Sequence, residues 1–78
     1  MTLNIISAQE ILYSGEVSAV TLPGTMGEFM VLDNHASLIS TLAPGRIRYV
    51  DMAGVPAEAV VDGGIVDIDN NVVSVCIY

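Results

Sequence analysis

The chain's one histidine, His35, follows two acidic residues, Glu28 and Asp33, in the stretch GTMGEFMVLDNHASLISTLAPG from Gly24 to Gly45. Imidazole and carboxylate groups are the donors of hydrolytic zinc sites, which take about three protein ligands in a fixed geometry. Here a single imidazole must serve with carboxylates, and no HExxH-type spacing supports the set. Asp33 and His35, two apart, share a face only if the segment is extended. A loop or interface histidine is the simpler reading. Ser7, Ser14, Ser37, Ser40 and Thr41 supply hydroxyls, but none sits in a GxSxG-like elbow, and one histidine leaves little room for a triad. Gly63-Gly64 and the PGTMG stretch lack the following helix and lysine of a phosphate loop, so they read as tight turns and sheet corners. Cys76 cannot form an internal disulfide and has no cysteine or histidine at metal-ligand spacing. It reads as a buried strand thiol.

The elements that carry these residues are strands. No window shows apolar residues at the three-and-four spacing of a helix, whereas period-2 alternation and Val/Ile-rich runs recur between Gly, Asn and Pro. Strands are predicted at Leu3–Ser7, Ile11–Leu22 with a break at Ser14-Gly15, Glu28–Leu32, Leu38–Leu42, Arg46–Asp51, Ala57–Asp62, Ile65–Asp69 and Val72–Ile77. A glycine inside a strand marks a bulge or a close backbone approach. The segment RIRYVDMAGVPAEAVV reads as a hairpin turning near Met52 to Val55, in a register that sets Arg48 opposite Glu58. An exposed pair of that kind contributes a few tenths of a kcal/mol. Asn70-Asn71 suits the positive φ angles of a tight hairpin turn. The last strand has no strongly polar face, so it is expected to be covered on both sides. Short strands at this spacing with no helix to cover a sheet predict an all-β chain whose two sheets pack face to face.

Composition narrows the function. Seventy-eight residues make one small domain, yet 53% of them are hydrophobic. Met26, Phe29, Met30, Leu38 and Ile39 divide between core and contact, and the surplus points to a partner surface. No apolar run approaches the roughly 18 residues of a membrane-spanning helix, and the start MTLNIISAQEIL does not read as a secretory signal. A cytosolic address is expected. Two basic residues, Arg46 and Arg48, face nine acidic ones for a net charge of −7, which disfavours nucleic acid and anionic lipid as partners.

Order and spacing add more than any motif alone. Ser7-Ala8 with Ser14-Gly15, then Pro23-Gly24 and Gly27-Glu28, His35-Ala36 and Leu38, Pro44-Gly45 and Gly63-Gly64 run from Leu3 to Val75 in a pattern that closely resembles the N-terminal domain of the epsilon subunit of F-type ATP synthase, called delta in mitochondria. The resemblance implies a flattened β-sandwich of two packed, mainly antiparallel sheets over residues 1–78. It implies a mechanical part at the foot of the rotor, with neither catalysis nor cofactor, that couples proton or sodium flow to ATP synthesis and hydrolysis. Such a part is peripheral, on the cytoplasmic side of a bacterial inner membrane. Matched to the family pattern, Ser7, His35, Ala36, Leu38 and Ile39 would face the gamma subunit, and Met26 and Glu28 the c-ring. Gly15, Gly24, Gly27, Gly45, Gly63, Gly64, Asn70 and Asn71 would serve structural turns. Ser37 departs from the pattern: family members generally carry proline there, and serine frees φ and adds a hydroxyl. Most members continue into a helical hairpin implicated in inhibition and, in some, in ATP binding; nothing follows Tyr78 here, so no ATP binding is expected. Two alternatives remain, a free-standing ligand-binding sandwich and a metal-dependent hydrolase using His35.

Overall fold

The computed structural model describes residues 1–78, in eight strands: β1 (Thr2–Ile6), β2 (Ile11–Gly24), β3 (Gly27–Leu32), β4 (Leu38–Leu42), β5 (Gly45–Asp51), β6 (Pro56–Val61), β7 (Gly64–Asp69) and β8 (Val72–Ile77). All eight lie where the alternation of apolar residues puts them, to within two residues at each end except for β2, which continues unbroken past Ser14-Gly15. No helix is long and apolar enough to cross a membrane.

Hydrogen bonding links the strands into one network that doubles over into two layers, and β2 is the seam. Its first half pairs with β1, while its second half, from Val17 to Gly24, pairs with β3 and β5. One layer therefore runs from the first half of β2 through β1, β8 and β7 to β4, and the other through β3, the second half of β2, β5 and β6. Only β1 and β8 pair in parallel. A strand serving two layers must bend, and β2 does so with extra residues at Leu12 and at Ser18, where the register slips by one. The slip at Ser18 explains why Val17 and Val20, three apart, are both buried.

Leu3, Ile5, Val66, Ile68, Val73 and Val75 of one layer meet Val20, Leu22, Val31, Ile47 and Val61 of the other in a single core. Burying each such side chain contributes about 1.5–3 kcal/mol. Tyr13 and Tyr49 pack against this core with ring centroids 4.4 Å apart. Desolvation, and then the neighbouring Tyr13, pushes the Tyr49 phenol above its ordinary range. Gly15 is neither a turn nor a bulge: it pairs in register with Leu3, and a Cβ there would lie 2.7 Å from the Tyr13 hydroxyl. It is the close approach that lets the tyrosine ring lie over the backbone.

Two expectations about the last strand fail together. Cys76 is exposed, and Val72 and Ser74 are half-buried, so only the Val73 and Val75 face of β8 is covered. Alternation separates the two faces of a strand, but it does not tell whether a mildly apolar outer face has a neighbour within the chain. A third correction concerns charge. Arg48 does oppose Glu58 in the β5–β6 register, yet Glu58 pairs diagonally with Arg46 at 3.3 Å, and Arg48 reaches across β2 to Glu28 at 2.8 Å.

The turns follow local chemistry. Between β5 and β6, Asp51 Oδ1 accepts from the amides of Ala53 and Val55, each at 2.9 Å, and Gly54 takes φ 83°. Gly24 and Gly27 close the β2–β3 hairpin around Thr25-Met26. Gly45 opens β5 where a Cβ would lie 3.1 Å from the Pro23 Cβ, and Gly63-Gly64 turn the chain from β6 into β7. Asn70 and Asn71 have φ 49° and 63°, the left-handed pair of a two-residue hairpin turn. Asn70→Val is expected to cost about 1 kcal/mol or more, because a β-branched side chain resists that φ. Urea denaturation checks this, and an unchanged midpoint at an unchanged m-value would contradict it.

Candidate functional site

The β1, β8, β7, β4 layer turns an uncovered face outward, and strand register orders its residues. Cross-strand partners put Ile11, Ile6, Cys76, Ile65 and Thr41 in one row. Ile11 is 71% exposed and Ile65 44%. The next row is Ser14, Asn4, Ser74, Asp67 and Ile39, with Ile39 also 71% exposed. The third holds Glu16, Thr2, Val72 and Asp69. An apolar row beside acidic groups is the result, because Asp67, Asp69 and Glu16 have no cationic partner. Both arginines lie on the outer face of the other layer, where Glu58 and Glu28 engage them.

The residues singled out in the sequence scatter around this face. Ile39 lies on it. Leu38 opposes the buried Ile68 and so sits at the rim of the core. Ser7 follows β1 at the end where Ile6 pairs with Cys76, and its hydroxyl accepts from the Glu10 amide at 3.2 Å in a tight loop. His35 and Ala36 lie at the opposite end, in the loop from β3 to β4. About six residues of extended chain separate the two ends, or about 20 Å. A partner touching Ser7 and His35 must therefore cover the length of the sheet. Met26 and Glu28 occupy the β2–β3 hairpin, at Ser7's end of the strands, with Met26 99% exposed at the tip. Thr25 ties this tip to β4 through Thr41, hydroxyl to hydroxyl at 2.7 Å.

His35 accepts no metal-like company. Its Nδ1 lies 2.7 Å from the Ala36 carbonyl, its amide donates to the Leu32 carbonyl at 3.2 Å, and no three His, Cys, Asp or Glu side chains converge anywhere in the chain.

What the sequence reading missed is how this loop is held. Asn71 Nδ2 donates to Asp33 Oδ1 at 3.0 Å, and Asn71 Oδ1 accepts from the Asn34 amide at 2.8 Å. The Ser37 hydroxyl donates to Asp69 Oδ1 at 2.7 Å. The amino terminus also donates to Asp33 Oδ1 at 3.0 Å. Residues more than thirty positions apart make all four contacts, so no local pattern announces them.

These donors, Asn71 first and then the terminal ammonium, hold the Asp33 carboxyl below its ordinary 3.8. The folded chain thus favours the ionised form. Its contribution is complete above the unfolded-chain value and is lost as pH falls through the lowered folded value. Acid titration of stability below about pH 4 is expected to be less steep for Asp33→Asn than for the wild type. Superimposable curves would contradict this.

Comparison with known proteins adds the lineage. Residues 1–77 match the family model described as the beta-sandwich domain of the ATP synthase delta/epsilon chain. The chain is 36% identical over 75 residues to an ATP synthase epsilon chain of Bordetella petrii, covering 96% of this chain and 53% of the relative. It is 42% identical over 69 residues to the corresponding chain of Wolinella succinogenes, covering 88% and 53%. It spans about half the length of the curated relatives it matches. Among solved structures, a chain in the Euglena gracilis mitochondrial ATP synthase assembly of OSCP, F1 and c-ring superposes with TM-score 0.87 at 25% identity, over 96% of this chain and 48% of that one.

Proposed function

Because the chain belongs to the family of ATP synthase delta/epsilon β-sandwich domains, we propose that it is a non-catalytic part of the central-stalk rotor, docked on the gamma subunit and on the c-ring. In that role it couples proton or sodium flow to ATP synthesis and hydrolysis, as a peripheral element on the cytoplasmic side of a bacterial inner membrane.

The observation that carries the reading is the uncovered row Ile11, Ile6, Cys76 and Ile65, with the exposed Ile39 in the neighbouring row and acids that lack cations beside them. A face of that make-up favours a partner that is apolar at its centre and basic at its margin. Gamma is assigned to this face, with His35 and Ala36 at one end, Ser7 at the other, and Ile39 and Leu38 between. The c-ring is assigned to the exposed hairpin tip, with Met26 and Glu28.

The two contacts separate by substitution. His35→Ala is expected to weaken gamma binding by about tenfold while the fold persists, since a loop side chain contributes little to the core. Glu28→Lys sets a second cation against Arg48 and reverses the charge offered to the c-ring. It is expected to leave gamma binding within about twofold and to reduce ion-driven ATP synthesis by about threefold or more. Each variant is reconstituted with gamma and the membrane sector, and assembly and synthesis are measured together. Wild-type assembly and wild-type synthesis in both variants would remove the assignment. Loss of one shared activity in both, with assembly intact, would favour a metal or catalytic site.

A further inference from the structure

The loop Asp33–Ser37 has no hydrophobic reason to hold its shape. Asp33, Asn34, Ala36 and Ser37 are exposed and His35 is half-buried, so none of them belongs to the core. Asn34 also carries φ 61°, a conformation that few residues adopt freely. What fixes the loop is a set of polar ties, one from the amino terminus to Asp33 at 3.0 Å and the others to the β7–β8 turn and the end of β7. Asn71 grips its first half through two contacts, one to the Asp33 carboxylate and one to the Asn34 amide, at 3.0 and 2.8 Å. The Ser37–Asp69 bond, at 2.7 Å, pins its second half just before β4 begins. Asn71 is itself fixed, because its carbonyl accepts from the Thr2 amide at 3.1 Å and its φ is set by the hairpin turn.

We infer that Asn71 and the Ser37–Asp69 pair form a latch that holds the His35 loop in its docking conformation, so that Ser37 and Asn71 are positioning residues for capture of the partner. The inference rests on the gamma-docking reading above. A partner that binds only the ordered loop has its dissociation constant divided by the ordered fraction, so the latch acts on binding through the order of the loop. Ser37 is the informative position. Its hydroxyl is the only group on the second half of the loop that reaches β7, and its loss leaves the Asn71 contacts and the core in place.

The test compares wild type, Ser37→Ala and Ser37→Thr as the whole 78-residue chain. Backbone order parameters of residues 33–37 are measured on the free chain by NMR relaxation, and association with the same organism's gamma subunit is measured by stopped flow and calorimetry well below the melting temperature. Ser37→Ala is expected to lower the order of Ala36 and Ser37 and to weaken gamma binding by about fivefold. Its melting temperature is expected to stay within about 3 °C of wild type. Ser37→Thr, which keeps the hydroxyl, is expected to restore both order and affinity. An unchanged loop in Ser37→Ala overturns the latch whether or not gamma binds. A loosened loop with wild-type affinity overturns the positioning role and leaves the docking reading intact. Failure of the wild-type chain to bind gamma overturns the docking reading, and the positioning role with it.

Discussion

Ile39→Arg is expected to raise the dissociation constant for gamma by at least about thirtyfold, the loss typical of an anchor residue worth 2 kcal/mol or more. Ile39 is 71% exposed, so its replacement removes nothing from the core. Register sets it directly opposite Asp67, and an arginine there gains an acidic cross-strand neighbour. Folding stability is therefore expected to stay within about 1 kcal/mol of wild type. Binding suffers twice, because an apolar contact is lost and a cation appears on a face otherwise edged by unpaired acids. Calorimetry with gamma, paired with thermal denaturation of the free chain, checks both halves. Undiminished binding would show that gamma does not cover this row.

Gly64→Ala is expected to do the reverse, striking the fold itself. A Cβ at Gly64 would overlap the Cys76 carbonyl oxygen and lie 3.0 Å from the Ile77 α-carbon, all backbone of the neighbouring strand, with no rotamer to swing away. β7 and β8 must then part where Gly64 pairs with Ile77. The cost is expected to be about 3 kcal/mol or more. For a domain of this length, whose total stability is roughly 4–12 kcal/mol, that lowers the melting temperature by about 12 °C or more. Gly54→Ala is the contrast: it also sits at positive φ, 83°, but in open space. Its cost is expected to be about 1–2 kcal/mol, from backbone strain alone. Equal melting temperatures for the two variants would contradict the close β7–β8 contact.

The strands were legible because each needs only its own alternation, and the Asn70-Asn71 turn because two adjacent residues tolerate positive φ. The Arg48–Glu58 register was legible for the same local reason. Partner choice was not, since an arginine spans a diagonal as readily as a direct neighbour, and Glu28 arrives from a strand that sequence does not set beside β5. The bulges at Leu12 and Ser18 were hidden because an inserted residue looks like ordinary alternation until the bend of β2 is known. Exposure of Cys76 was hidden because Val72, Ser74 and Cys76 resemble a covered face, and the cover proposed for them lies outside the chain. At the candidate site the residue types were legible. Their separation to opposite ends of a sheet, and the ties from Asn71 and Asp69, were not, because contacts more than thirty residues apart leave no spacing to read.

Cys76 offers the most direct test of the docking reading. It is the chain's only cysteine and sits exposed in the middle of the apolar row. Alkylation of its thiol, followed on this chain by mass spectrometry with and without a stoichiometric gamma subunit, reads coverage of that face with no engineered label. Complex formation is expected to slow the modification by about tenfold or more, as burial at the centre of an interface excludes reagent and water alike. A stable complex in which Cys76 reacts at the rate of the free chain would contradict docking through this face.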